Sequence, residues 1–138
     1  MRYIIIAAAI RAQHTSAVQR SMARNGYFTL LLTGDISSRT EERLLEIFGK
    51  DILKADILKI PHHGSKNSSS GAFLKAVEPK IALASAGINN RYSHPSRETK
   101  ERLTEFGIPL YCTKDYGETD AEPSFLNHKL FIKSFKKP

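Results

Sequence analysis

Apolar runs of strand length alternate along the chain with segments in which apolar residues recur at helical spacing. The apolar runs lie at residues 27–33, 55–60, 80–85 and 110–113. The helical segments lie at about residues 38–48, 72–77 and 96–106, and a further strand is predicted at 130–135. Such alternation is typical of a layered α/β fold with mostly parallel pairing among the central strands.

Residues at the ends of the helical segments predict where the helices begin and stop. Ser38 followed by Glu41 has the spacing of a capping box, and Gly49 is typical of the residue that ends a helix. Leu44, Ile47 and Phe48 fall on one apolar face of the same segment. Ser96 is predicted to cap the last helix.

Length and composition describe a folded domain with a positive charge. The chain has 138 residues, of which 41% are hydrophobic and 25% charged, which suits one domain with a single core. Its net charge of +7 favours polyanionic partners such as nucleic acid or an anionic membrane surface. Because the positive residues are dispersed, charge alone does not select among these partners.

The single cysteine and the apolar start of the chain each support a structural prediction. Cys112 has no partner for a disulfide within the sequence, so we expect a buried thiol there. The apolar octet at residues 3–10 is shorter than the roughly 20 residues that span a bilayer. It predicts a first strand or a poorly ordered start, with a signal peptide as the less favoured alternative.

A carboxylate and three imidazoles come just after successive predicted strands. These residues are Asp35, His62, His63 and His94. Because the carboxyl ends of parallel strands share one edge of a sheet, and ligands gather there, we expect the four side chains to lie close together. Carboxylate and imidazole suit Zn²⁺, Mn²⁺ or Fe²⁺, so the set predicts a metal-dependent site. Taken alone, Asp35 would more often be a turn residue and His94 a solvated one.

Several segments around these residues match one known pattern in order. They are Leu30 to Asp35, Ala55 to Ser65 with its Pro61-His62-His63-Gly64-Ser65 end, Pro79 to Ser85, Asn90 to Pro95, and Tyr111 to Gly117. Over about residues 27–117 the chain resembles the metallo-β-lactamase-fold domain at the C-terminus of the ComEC competence (DNA internalization) protein family. The resemblance implies an αββα sandwich.

The same resemblance implies a hydrolytic centre with two divalent metal ions, Zn²⁺ or Mn²⁺. Asp35 would be the carboxylate that bridges the ions, and His94 would be the last histidine ligand. His62 and His63 would be a metal ligand and a proton-handling or second-shell catalytic group, in an order that stays open.

The activity that the resemblance suggests is hydrolysis of DNA phosphodiesters during DNA uptake, with single-stranded DNA as the partner. Ser65 and Asn90 would hydrogen-bond a phosphate or orient a ligand, with a plain turn role as the alternative. Small phosphodiesters, lactones and thioesters are handled on the same fold, and the fold alone does not choose among them. The competing hypothesis is an inactive module or subunit that binds metal or DNA without turnover.

The sequence departs from the family pattern near its start. The His-x-His-x-Asp-His signature of the fold is absent, and those residues would supply most of the first metal shell. His14 is a candidate ligand, although residues 1–26 match the family loosely. We therefore expect residues 1–26 to be a poorly matched segment and residues 27–138 to be the C-terminal part of a metallo-β-lactamase-like domain, incomplete at its N-terminus and with an incomplete metal site.

Two explanations of this departure remain open. The chain is either a fragment of a longer uptake protein, which we favour, or a separate subunit. Its expected partners are the missing N-terminal half, a membrane channel protein or a second copy of itself. We expect a cytoplasmic location, or a membrane association supplied by a parent protein, because the sequence has no segment long enough to span a bilayer.

Overall fold

The computed structural model describes residues 2–8, 18–24, 28–123 and 130–135, which form two sheets and several helices. The strands are β1 (Arg2–Ala8), β2 (Val18–Arg24), β3 (Phe28–Leu32), β4 (Ile57–Lys59), β5 (Ile81–Ala84), β6 (Leu110–Cys112), β7 (Glu118–Pro123) and β8 (Leu130–Phe135). The helices are α1 (Ser38–Leu53), α2 (Gly71–Val77), α3 (Arg97–Glu105) and α4 (Thr113–Tyr116), and a short 3₁₀ turn covers Pro61–Gly64.

The larger sheet contains six strands whose spatial order follows the chain, from β1 to β6. Strands β1, β2 and β3 pair antiparallel, whereas β3 to β6 pair parallel, and β7 and β8 form a two-stranded antiparallel sheet. These elements confirm the layered α/β fold and the strand expected at the start of the chain. Because β2 pairs with β3 from Gln19–Leu32 to Ala23–Phe28, the sheet continues across the predicted boundary at residues 26 and 27.

The core lies between one face of the parallel strands and the helices that connect them. Leu31, Leu58 and Ala82 are register partners on neighbouring strands, and all three are buried. They form one apolar cluster with buried residues of α1, α2 and α3, among them Leu44, Phe73, Leu74 and Leu103. The three helices therefore cover one face of the sheet. Cys112 joins this cluster, which confirms the buried thiol.

The start of α1 differs from the prediction. The helix is capped by Ser37, whose side chain makes no capping hydrogen bond, so the predicted capping box of Ser38 and Glu41 is wrong. Glu41 is fully buried instead, and its carboxylate accepts hydrogen bonds from the backbone N–H groups of Ser69 and Ser70. A buried carboxylate needs such donors, and the loop before α2 supplies them better than its own helix end.

The predicted stop and apolar face of α1, and the predicted cap of α3, can also be compared with the structure. Gly49 leaves helical geometry with φ of 64° and ψ of 178°, as a stop residue should, but the helix resumes and continues to Leu53. Of the three residues on the predicted apolar face, Leu44 is buried and Phe48 packs against the core, whereas Ile47 is 53% exposed; Glu41 is buried on the same side as Leu44. Ser96 does cap α3, where its side chain accepts the N–H of Thr99.

Within the part of the chain that the structure describes, no helix combines the length and the apolar character needed to cross a membrane.

Candidate functional site

Three loops at the carboxyl edge of the parallel strands carry the candidate metal ligands. Asp35 follows β3, His62 and His63 lie in the 3₁₀ turn after β4, and His94 lies in the loop between β5 and α3. Nε2 of His63 is 3.9 Å from Oδ1 of Asp35, and the ring centroids of His62 and His94 are 5.9 Å apart. The structure thus gathers the four side chains at one edge, as the parallel pairing requires, in two neighbouring pairs.

The two adjacent histidines adopt a left-handed backbone that residues other than glycine rarely occupy. Their φ angles are 49° at His62 and 54° at His63. The N–H of His62 donates to the carbonyl oxygen of Gly34 at 2.9 Å, and the N–H of Ser65 donates to the carbonyl of His62 at the same distance. These bonds tie the turn to the end of β3 and hold a conformation that concentrates at functional sites. No pattern in the sequence indicated it.

Gly64 brings the histidine turn into contact with the loop of His94. Its φ is 85°, and a Cβ atom built on it would lie 2.7 Å from Cβ of Pro95, closer than real side chains approach. The carbonyl oxygen of Gly64 also accepts the N–H of Ser96 at 2.9 Å. The glycine is therefore needed both for its backbone conformation and for the close approach of the two loops.

The hydrogen bond of His63 fixes the orientation and the tautomer of its ring. Nδ1 lies 2.6 Å from the carbonyl oxygen of Ser85, at the end of β5. A carbonyl oxygen only accepts, so Nδ1 carries the proton. In the neutral ring, Nε2 then presents its lone pair on the side where Asp35 lies. This arrangement, in which one ring nitrogen donates to a backbone carbonyl, is the usual support of a histidine that ligates a metal through the other nitrogen.

His94 presents a neutral imidazole with an unpaired nitrogen. Its ring stacks on Tyr92, with centroids 5.7 Å apart and planes inclined by 22°. Burial, followed by the neighbouring charges of His62 and His63, lowers the pKa of His94. Nδ1 of His94 is buried and has no hydrogen-bond partner among the described residues. A neutral ring with a free nitrogen is the form that binds metal ions.

Asn90 and Ser65, the two candidates for substrate contact, are both engaged with the backbone around the site. The side chain of Asn90 accepts the N–H of His94 at 2.6 Å and donates to the carbonyl oxygens of His94 and Gly87 at 2.8 and 2.9 Å. Ser65 is only 6% exposed, and its hydroxyl accepts the N–H of Asn67 at 3.3 Å. Contact of either residue with a substrate stays a prediction, while the observed bonds of Asn90 orient the loop that carries His94.

A polar clamp holds the serine loop, residues 65–70, which follows the histidine turn. Glu41 accepts two backbone N–H groups of this loop from one side. From the other side Arg102 donates to the carbonyl oxygens of Lys66 and Ser68 at 3.1 and 2.8 Å, and Thr99 donates to that of Ser65 at 3.0 Å. Sequence reasoning missed Arg102 and gave Glu41 a different role, because the partners of both residues are backbone atoms distant in the chain. The one sequence feature that could have indicated this clamp is the position of Glu41 itself, a charged residue on the apolar face of α1.

Two clefts meet at the stacked pair of Tyr92 and His94, which we name the ridge. The His63 cleft, of about 340 Å³, is lined on its other side by His63, Ser85, Ala86, Gly87 and Asn90. The Lys66 cleft, of about 390 Å³, is bordered by Lys66, Asn67, Ser93, Ser96 and Arg97, with Glu98 beside them. Both volumes lie in the range of small-ligand sites. The ridge thus separates a cleft lined by the candidate ligand His63 from one lined by two cationic side chains, Lys66 and Arg97.

The donors present fit part of a metal centre. The side-chain types, the tautomer of His63 and the free nitrogen of His94 suit a divalent ion such as Zn²⁺. However, among the described residues no group of three or more histidine, cysteine, aspartate or glutamate side chains is close enough to hold an ion. His14, the remaining candidate ligand, lies outside the described residues.

The fold and the site together define a layered α/β protein whose parallel-sheet edge carries a carboxylate beside three imidazoles. No model of a known protein family matches the chain. Among curated proteins, it is 38% identical over 92 residues to ComE operon protein 3 of Bacillus subtilis and 43% identical over 98 residues to Competence protein ComA of Neisseria gonorrhoeae. It is also 37% identical over 94 residues to Recombination protein 2 of Haemophilus influenzae.

The three matches cover 67%, 71% and 68% of this chain, but only 12%, 14% and 11% of the respective relatives. The chain therefore spans a small part of the length of the proteins that it matches. They confirm the resemblance found in the sequence: the chain belongs to the ComEC competence protein family.

Proposed function

We propose that this chain supplies Asp35, His62, His63 and His94 to a metal-dependent centre that hydrolyses DNA phosphodiesters in a competence protein. The observation that carries the proposal is the geometry of His63. Its Nδ1 is committed to Ser85, and its Nε2 lies 3.9 Å from the carboxylate of Asp35. A histidine anchored in this way beside a carboxylate is prepared to share a cation with it.

Each residue has a defined task in this proposal. Asp35 and His63 would hold one cation between them, and His94 would contribute its neutral ring from the opposite loop. His62, whose ring faces the edge of His94, is placed to ligate or to handle a proton. When bound, divalent cations would polarise the phosphodiester and lower the pKa of a bound water. Further ligands would come from His14 or from outside this chain, since the described residues hold no group of three donors.

Calorimetric titration of the 138-residue chain with Zn²⁺ and Mn²⁺ tests the assignment. We expect binding that weakens at least about tenfold in Asp35→Ala and in His94→Ala, because each substitution removes a ligand. Asp51→Ala is the matched control, since Asp51 is an exposed carboxylate on α1, away from the carboxyl edge. Equal affinity in the wild type and in the Asp35 and His94 variants would contradict the metal assignment.

A module that binds DNA without turnover is the second candidate function, and the positive net charge of the chain favours it. Its affinity would come from phosphate contacts of the positively charged chain, whose net charge is +7. Such binding weakens steeply as salt rises. Undetectable binding of single-stranded DNA at low salt would contradict this function.

The whole competence protein is the setting that we propose for either function. The curated relatives are several times longer than this chain, so residues outside it would supply the membrane anchor or channel and the remaining metal ligands. The site would then lie beside the membrane rather than within it. Fractionation of cells that express the full-length protein and the 138-residue chain separately tests this setting, and sedimentation of both with the membranes would contradict it.

A further inference from the structure

Tyr92 is largely exposed to solvent even though its ring stacks on a neighbouring side chain. The side chain stacks on His94, yet 71% of the residue is accessible. Scattered exposed aromatic residues are ordinary, but Tyr92 borders both clefts of the site. Its position, beside a candidate metal ligand and between two clefts, is what requires an explanation.

The loop presents Tyr92 in a defined orientation. Asn90 binds the backbone of His94 on both its N–H and its carbonyl, and the N–H of Ser93 donates to the carbonyl of Asn90 at 3.0 Å. Lys114 donates to the same carbonyl of His94 at 3.3 Å. An aromatic side chain on a loop fixed in this way loses little conformational entropy when a flat ligand binds to it.

The charges near Tyr92 suit a ligand that combines a ring with a phosphate. The guanidinium of Arg91 is 5.9 Å from the centroid of the Tyr92 ring, and Lys66 and Arg97 border the Lys66 cleft on the far side of the ridge. Arg97 is partly neutralised by Glu101, 2.7 Å away, and the charge of Glu98 in the same cleft acts on both Lys66 and Arg97, so that Arg97 has two neighbouring carboxylates. Lys66 and Arg91 are therefore the cations best placed for a phosphate.

We propose that Tyr92 is a stacking platform for one unpaired base of single-stranded DNA, whose backbone crosses the ridge with a phosphate beside Lys66. This inference rests on the proposed DNA-binding function and deepens it. Proteins that hold single strands combine cationic grooves with aromatic side chains, and stacking tolerates any base because every base has a flat face. A duplex, whose bases are already stacked on each other, would not use this platform.

Binding of a fluorescent single-stranded oligonucleotide, measured by anisotropy at several salt concentrations, tests the proposal. We expect Tyr92→Ala to weaken binding about tenfold and Tyr92→Phe to retain the affinity of the wild type, because the ring is kept. Tyr116→Ala is the matched control, since Tyr116 is 40% exposed but borders a different cleft.

Salt dependence separates stacking from phosphate contact. Tyr92→Ala should leave the slope of log affinity against log salt unchanged, since stacking releases no counterions. Lys66→Ala should make that slope shallower by about 0.7, the value for one phosphate on a single strand. A change of slope in Tyr92→Ala, together with an equal loss of affinity for an abasic strand, would show that Tyr92 acts only by ordering the charged loops and would overturn the platform.

A direct readout comes from Tyr92→Trp, because the chain has no tryptophan and the new residue would be the single reporter. We expect its fluorescence to be quenched by a single strand and much less by an abasic strand of the same length. If the wild type binds no single-stranded DNA at low salt, both the platform and the DNA-binding function fail. If it binds and Tyr92→Ala binds equally well, the platform alone is overturned and the DNA-binding function stands.

Discussion

Nδ1 of His63 donates a hydrogen bond to the carbonyl oxygen of Ser85 over 2.6 Å, and this bond links the turn after β4 to the end of β5. It requires the proton to be on Nδ1, which leaves the Nε2 lone pair of the neutral ring facing Asp35. The ends of β4 and β5 thus together fix the orientation of the His63 ring.

Substitution of Gly64 by alanine should destabilise the protein through a steric clash in addition to backbone strain. The new Cβ would lie 2.7 Å from Cβ of Pro95 and 3.0 Å from its Cα. Gly107→Ala is the matched control, since Gly107 also has a positive φ, of 66°, but no atom within 4 Å of the new Cβ. We expect about 1–2 kcal/mol of strain in both variants and about 1–3 kcal/mol more in Gly64→Ala.

Chemical denaturation of the two glycine variants measures this difference. Equal free energies of unfolding for Gly64→Ala and Gly107→Ala would show that the loops of His63 and His94 are not in close contact at Pro95.

Replacement of Glu41 by glutamine should loosen the serine loop. The buried carboxylate accepts the N–H groups of Ser69 and Ser70, whereas glutamine has a single acceptor oxygen and brings an unwanted donor. We expect a loss of about 1–3 kcal/mol in the free energy of unfolding and faster amide exchange at Ser69 and Ser70. Glu42→Gln, a substitution of the exposed neighbour, should change neither quantity; unchanged exchange in Glu41→Gln would refute the clamp.

Asp56 should stabilise the fold in a pH-dependent way. Burial would raise the pKa of Asp56, but hydrogen bonds from Lys80 and Thr29 outweigh it and lower the pKa below its ordinary value. Because the folded-state pKa is the lower one, the stabilisation is complete above the unfolded-state value of about 4 and is lost as the pH falls through the folded-state value.

Unfolding of Asp56→Asn at several pH values measures this contribution. We expect the variant to be about 1–2 kcal/mol less stable than the wild type at pH 7, with the difference shrinking below about pH 4. The exposed residue Glu46 supplies the control, Glu46→Gln. A difference for Asp56→Asn that stays constant down to pH 2 would mean that its carboxylate charge has no part in the stability.

The alternation of strands and helices from β3 to β6 and the edge that carries the candidate site followed from the sequence, whereas β2, α4 and β7 were not predicted. Apolar runs and helical spacing are local properties, and parallel pairing then brings Asp35, His63 and His94 to one edge without further information. The cap of α3 at Ser96 could be predicted as well, because it involves only residues that are close together in the sequence. Each of these features can be inferred from a short segment of neighbouring residues.

Contacts between distant loops could not be predicted in the same way. Glu41 had the spacing of a capping box, but donors from the serine loop, 28 and 29 residues away, satisfy its carboxylate instead. The left-handed backbone of His62 and His63 and the bond from His63 to Ser85 likewise depend on packing between loops. No local sequence pattern indicates these hydrogen-bond partners, because each partner depends on which polar groups come within reach when the chain folds.

The most direct test of the central claim is nitrogen NMR of the five histidine side chains before and during titration with Zn²⁺. We predict that His63 carries its proton on Nδ1 in the metal-free chain and that Nε2 is the atom whose resonance shifts as Zn²⁺ is added. The shift should be lost in Asp35→Ala. A proton on Nε2 of His63, or a Zn²⁺ response that leaves His62, His63 and His94 unchanged, would contradict the account.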